Sequence, residues 1–168
     1  MIFVTVGTQL PFDRLVRTVD KWAFETQTHD VFAQTGASNY QPSAISSLNF
    51  LGVDEFEKKV ASAELLISHA GMGSIITAME MSKPIVVMPR MAKFGEHRND
   101  HQMATVSKFS KLSNVFVAES EAHIPEAIDA ALSVNSITIE SELASRKALI
   151  SSISNFIGLN ETPLSLSA

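Results

Sequence analysis

The sequence predicts an α/β fold in which a parallel sheet carries helices on both faces. Three observations lead there. Short β-branched runs alternate with longer amphipathic segments along most of the chain, the order that right-handed βαβ crossovers produce. Residues 2–6 and 84–89 are apolar or β-branched almost throughout rather than alternating with polar residues, as in strands buried on both faces. The chain has 168 residues, 45% hydrophobic and 18% charged, which suits a single domain with one core and rules out a disordered chain.

Residues 2–6 form the first expected strand. A helix over 13–26 follows, with Leu15, Val16, Val19 and Ala23 on one face. Residues 31–34 and 49–51 read as short strands, and the polar stretch 36–47 between them as turn. Asp54 is placed to cap a helix running to residue 63, with Phe56 and Val60 turned inward. A strand at 65–67 leads through Ser68 to a helix over 73–81, and the strand within 84–89 is bracketed by Pro84 and Pro89. Residues 90–100 read as a polar loop, 101–109 as a helix, 115–117 as a strand and 124–132 as a helix. Apolar residues then recur at helical spacing from Ile139 to Ile157. This last helix has two readings, one packed back on the sheet and one meeting another protein. The expected domain is residues 1–158, with 159–168 a tail.

Several function classes fall away on composition. With 13 Lys+Arg against 18 Asp+Glu the net charge is −5, and the sequence pI is about 5.5. A general nucleic-acid binder would need a basic surface. With no cysteine, disulfides, thiolate nucleophiles and cysteine-ligated metals are excluded. No apolar run approaches the roughly 20 residues of a membrane span. The N-terminus reads as a strand rather than a signal peptide, so the expected address is cytoplasmic.

In an open parallel sheet, ligands sit beyond the carboxyl ends of the strands. Three segments fall there: Gly7, Thr8 and Gln9; Ser68 to Ser74; and Arg90 to Gln102. Gly71 and Gly73 open a helix whose first N–H groups suit a phosphate, and Ser74 adds a hydroxyl. An ordinary tight strand-to-helix turn would use the same glycines. The motif lacks the third glycine of a dinucleotide fingerprint, since Ile76 stands there, and no G-x-x-x-x-G-K-[ST] occurs. His69 is either a histidine that fixes the turn or a donor to the ligand. Arg90, Lys93, His97, Arg98 and His101 form a local basic cluster in an acidic chain, which points to an anionic small ligand or to a solvated loop. No metal-ligand spacing accompanies His97, Asp100 and His101, no D-x-D occurs, and no G-x-S-x-G elbow supports a hydrolase. Neither metal nor cofactor is expected.

The segments V-T-V-G-T-Q at 4–9, H-A-G-M-G-S at 69–74, K-P-I-V-V-M-P-R at 83–90 and E-H-R-N-D-H-Q at 96–102 resemble glycosyltransferase family 28. More narrowly, they resemble its Alg13-like and, especially, PssE-like small subunits of two-part enzymes, over about residues 1–132. The resemblance implies a Rossmann-like domain, the donor-binding half of a GT-B glycosyltransferase, with a membrane-associated acceptor-binding subunit as partner. It implies an inverting transfer from a UDP-sugar to a lipid-linked acceptor in exopolysaccharide biosynthesis, with glucuronate, the sugar of the PssE-like case, as the expected donor sugar and UDP-GlcNAc, that of the Alg13-like case, as the alternative. A non-catalytic nucleotide-binding regulator of a polysaccharide complex is the alternative of another class.

Carried over by position, the resemblance puts Gly7, Thr8, Gln9, His69, Gly71, Gly73 and Ser74 near the donor diphosphate. It puts Asp100 and Gln102 at the sugar hydroxyls. A carboxylate for the ribose is expected where Thr77 stands, with Glu80 as a possible substitute. Arg90 and Arg98 are candidates for a sugar carboxylate, and Arg90 also for the diphosphate, with His97 and His101 beside them. The general base is expected from the partner subunit, and through that partner this chain is expected to sit peripherally at the cytoplasmic face of a membrane.

Overall fold

A computed structural model describes residues 1–133, Ala148 and residues 151–153. Among these residues six parallel strands, β1 (Ile2–Thr5), β2 (Val31–Gln34), β3 (Ser46–Leu48), β4 (Leu65–His69), β5 (Ile85–Met88) and β6 (Val115–Val117), pair in the order β3-β2-β1-β4-β5-β6. The order runs outward from β1 in both directions. The loops after β1 and β4 therefore part to opposite faces, and a crevice opens between them.

Among the described residues the sheet is covered by the helices α1 (Asp13–Thr26), α2 (Val53–Ser62), α3 (Met72–Glu80), α4 (His101–Phe109) and α5 (Ile124–Ser133). One face packs Val4, Ile67, Val86 and Met88 against Leu15, Val16 and Val19 of α1 and Ile124 and Ile128 of α5. The other packs Phe3, Leu66, Ile85 and Val87 against Val60 of α2, Ile75 and Ala78 of α3, and Val106 and Phe109 of α4. Successive residues of β1, β4 and β5 thus enter opposite layers of core, which accounts for their uninterrupted apolar runs. No described helix is long and apolar enough to cross a membrane.

Most expected elements stand within a residue or two of their positions. Two differ. The strand expected at 49–51 lies at Ser46–Leu48 and pairs Ser46 with Phe32 and Leu48 with Gln34. It is the edge strand and largely exposed, so no apolar pattern marks it. Asp54 does not cap α2. The helix begins at Val53 behind Gly52, without a side-chain cap, and Asp54 and Glu55 lie in its first turn, where carboxylates favour the helix dipole. The expected helix at 139–157 and the tail at 159–168 lie outside the described residues, apart from Ala148 and residues 151–153. These are helical, and Ile153 packs on the face covered by α2, α3 and α4.

Candidate functional site

A cavity of about 700 Å³ opens over the carboxyl ends of the strands, within the size range of small-molecule sites. Gly7, Thr8, Gln9 and Leu10 after β1 line it, with His69, Gly71, Gly73 and Ser74 where β4 passes into α3, and Arg90, Glu96 and His97 of the loop after β5 together with His101 and Gln102 at the start of α4. Lys108 and Phe109 of α4 and Ser152 and Ile153 close it further. All three expected segments meet here.

The glycines hold different jobs. Gly7 has φ +75°, and a Cβ there would lie 2.9 Å from His69 Nε2. A Cβ on Gly71 would collide with the same ring, 2.7 Å from Nδ1. The imidazole therefore sits between two positions that must be glycine. Gly73 is different: a Cβ there would meet nothing within 4 Å. It lies in the first turn of α3, where backbone N–H groups have no partner inside the helix. That open, donor-bearing turn is what an anionic ligand needs.

His69 is fixed from behind. The Arg90 backbone N–H donates to Gln102 Oε1 at 3.0 Å, and Gln102 Nε2 stands 3.1 Å from His69 Nδ1. Burial, aided by the Arg90 charge, lowers the His69 pKa to about 4, so the ring is neutral at physiological pH.

Arg90 is 3% exposed. Its Nη2 donates to Val6 O at 2.7 Å, and its Nη1 to Pro11 O at 2.8 Å and Glu96 O at 3.1 Å. Its guanidinium carbon is 4.8 Å from the Phe12 ring centroid. Burial lowers its pKa to about 10, and it stays charged at neutral pH. Arg90 is thus a strut that ties the β1 loop to the β5–α4 loop, with three donors engaged by backbone carbonyls.

A second clamp escaped the sequence reading. Arg14 of α1 donates from Nε and Nη2 to the two Glu96 carboxylate oxygens, both at 2.8 Å. It also reaches Pro89 O at 3.0 Å and Glu121 Oε2 at 3.1 Å. Glu96 additionally accepts from the Met91 N–H at 3.0 Å. No local motif announces a pair separated by 82 positions. The nearest signal is that Glu96, with Asp100, stands among the basic residues of that loop.

Other expected residues lie outside the cavity wall. Asp100 Oδ1 accepts from the Ala92 N–H at 2.8 Å and shapes the loop. Arg98 lines an adjoining hollow with Gln9, Leu10 and His97. Thr77 and Glu80 belong to later turns of α3 and do not line the cavity. Among the described residues no group of three or more His, Asp or Glu side chains is placed to hold a metal.

This strand order, with a ligand-sized cavity over the point where it reverses, defines a Rossmann-like domain. The chain belongs to the family described as glycosyltransferase family 28 C-terminal domain, whose model matches residues 1–153. It is 30% identical over 89 residues to the UDP-N-acetylglucosamine transferase subunit ALG13 of Candida albicans, a match covering 53% of this chain and 29% of that protein. It is 30% identical over 125 residues to the subunit of the same name from Homo sapiens, covering 68% of this chain and 11% of that protein. The chain thus spans under a third of the length of these curated relatives.

Among solved structures, the solution structure of ALG13 superposes with a TM-score of 0.62 at 19% identity, covering 90% of this chain and 96% of that one. A kitacinnamycin glycotransferase superposes with a TM-score of 0.62 at 15% identity, covering 94% of this chain and 42% of that one. The expected Rossmann-like architecture of GT-B glycosyltransferases is therefore the one observed.

Proposed function

We propose that this chain is the donor-binding part of a two-part inverting glycosyltransferase. It takes a UDP-sugar and works with a membrane-associated subunit that presents a lipid-linked acceptor. The observation that carries this reading is the convergence of the Gly7 loop, the open first turn of α3 and the basic β5–α4 loop on one cavity, in a chain of this family. Helix N–H groups and a neutral histidine suit a diphosphate that gathers charge as it leaves.

An inverting transfer also needs a base for the acceptor hydroxyl. The carboxylate in the described wall, Glu96, is engaged by Arg14 and the Met91 N–H, which supports a base supplied by the partner. The curated relatives are named for UDP-N-acetylglucosamine, and that is the donor we propose. One observation favours UDP-glucuronate as a second reading, with a role in exopolysaccharide assembly: Arg98 stands beside the cavity, in a hollow shared with Gln9 and His97, where a bidentate carboxylate contact would fit.

The test is co-expression with a candidate membrane-associated acceptor-binding subunit, then donor competition and transfer assays. The proposal expects UDP binding by the chain alone, no transfer without the partner, and transfer from UDP-N-acetylglucosamine with it. UDP-glucuronate binding that falls at least about tenfold in Arg98→Ala, the size of one charge-assisted hydrogen bond, would move the assignment to the second reading. Nucleotide binding without transfer by the complex would leave a regulator. Transfer to a lipid acceptor by this chain alone would overturn the two-part reading.

A further inference from the structure

We infer that Gln102 is a positioning residue that holds His69 as the tautomer with its proton on Nε2. The argument starts from the backbone N–H of Arg90, which can only donate. It is 3.0 Å from Gln102 Oε1, so the carboxamide orientation is set and the NH₂ group faces the other way. That NH₂ group is 3.1 Å from His69 Nδ1. Two donors cannot share one bond, so Nδ1 accepts and the ring proton resides on Nε2. Nε2 in turn faces the Gly7 turn on the cavity wall. A backbone group at the end of β5 thereby dictates, through one carboxamide, which hydrogen-bonding face His69 offers to a ligand.

The groups around the ring agree with a neutral donor. Burial first, then the Arg90 charge and more weakly His97, act against a positive charge on it and outweigh the opposing pull of the Gln102 hydrogen bond, and Glu96, His101 and Lys108 also line the cavity. A neutral Nε2–H can donate to a phosphate oxygen without taking up a proton first. Gln102, with both ends engaged inside the protein, then serves the nucleotide through His69 rather than the sugar directly. For its ligand this inference rests on the proposed donor site. For its geometry it does not.

The experiment keeps the two apart. In full-length protein with ¹⁵N-labelled histidine, long-range ¹H–¹⁵N correlation at pH 7 reads the His69 tautomer without any ligand. The expected pattern is a protonated Nε2 and a bare Nδ1. Gln102→Glu keeps the side-chain shape but presents an acceptor to Nδ1, and should move a proton onto that nitrogen. Gln102→Ala should weaken UDP itself by about three- to tenfold, the size of one hydrogen bond. A proton on Nδ1 in the wild type overturns the inference. So does unchanged UDP affinity in a folded Gln102→Ala protein whose UDP-sugar affinity alone falls. If UDP fails to bind while Nε2 carries the proton, the tautomer assignment stands and the donor-site reading falls.

Discussion

The imidazole of His69 occupies the space that a side chain at Gly71 would need: a Cβ at position 71 would lie 2.7 Å from Nδ1, nearer than any unstrained contact. Gly73, two residues on, faces open space. One glycine therefore serves the packing of the protein and the other leaves room for something outside it.

Substitution separates these roles. Gly71→Ala should cost about 1–3 kcal/mol, as overpacking does, because the ring is already held by Gln102 and backed by Gly7. Gly73→Val should leave the fold within about 1 kcal/mol of wild type yet abolish detectable UDP binding, since the side chain fills the approach to the α3 N–H groups. Denaturant unfolding and calorimetry with UDP check both. Unchanged UDP affinity in Gly73→Val would remove that turn from the site.

Arg14 and Glu96 are 12% and 8% exposed at their side chains, and breaking such a pair leaves a buried charge without compensation. Arg14→Ala should destabilise by about 3 kcal/mol. Arg14→Ala combined with Glu96→Gln should recover part of that loss, because the stranded charge is gone. A double-mutant cycle in urea measures the coupling, and purely additive losses would show that the clamp contributes nothing.

Protonation of His69 predicts a pH dependence of stability. Its pKa is about 4 in the folded chain against an ordinary value of 6.5, so between these values the unfolded chain binds the extra proton. The stabilisation is complete above pH 6.5 and falls as pH drops towards 4, by up to about 1.4 kcal/mol per pH unit. His69→Gln should flatten that limb. Unfolding free energies at pH 7, 6 and 5 decide it, and parallel curves for the two proteins would refute the burial of a neutral ring.

Asp20 predicts a separate, more acidic limb. Burial alone would raise its pKa, but hydrogen bonds from the Tyr40 hydroxyl and the backbone N–H groups of Ser43, Ala44 and Ile45 outweigh this and hold it below its ordinary value of 3.8. Its contribution is complete above that value and is lost as pH falls below it. Asp20→Asn should cost about 2 kcal/mol at pH 7 and lose this acid dependence. The loop before β3 should then become the first site of proteolysis. Equal acid midpoints for variant and wild type would contradict the assignment.

Residue patterning alone specifies the sheet and its helices, because burial on two faces forces residues 2–6 and 84–89 to be apolar or β-branched and amphipathic spacing marks α1. It also brought the right three loops to one end of the sheet, since parallel βαβ connections leave all strand ends on the same side. It placed β3 three residues too late, because that exposed edge strand carries no hydrophobic signal. It did not distinguish Gly71 from Gly73, or Arg90 as strut from Arg90 as ligand contact. The first depends on how the His69 ring is turned, which Gln102 sets from 33 positions away, and the second on Arg90 reaching Val6 across 84 positions. Local propensity does not encode such distances. Only the folded packing, which sets a backbone N–H behind Gln102 and a ring against Gly71, decides what each side chain is free to do.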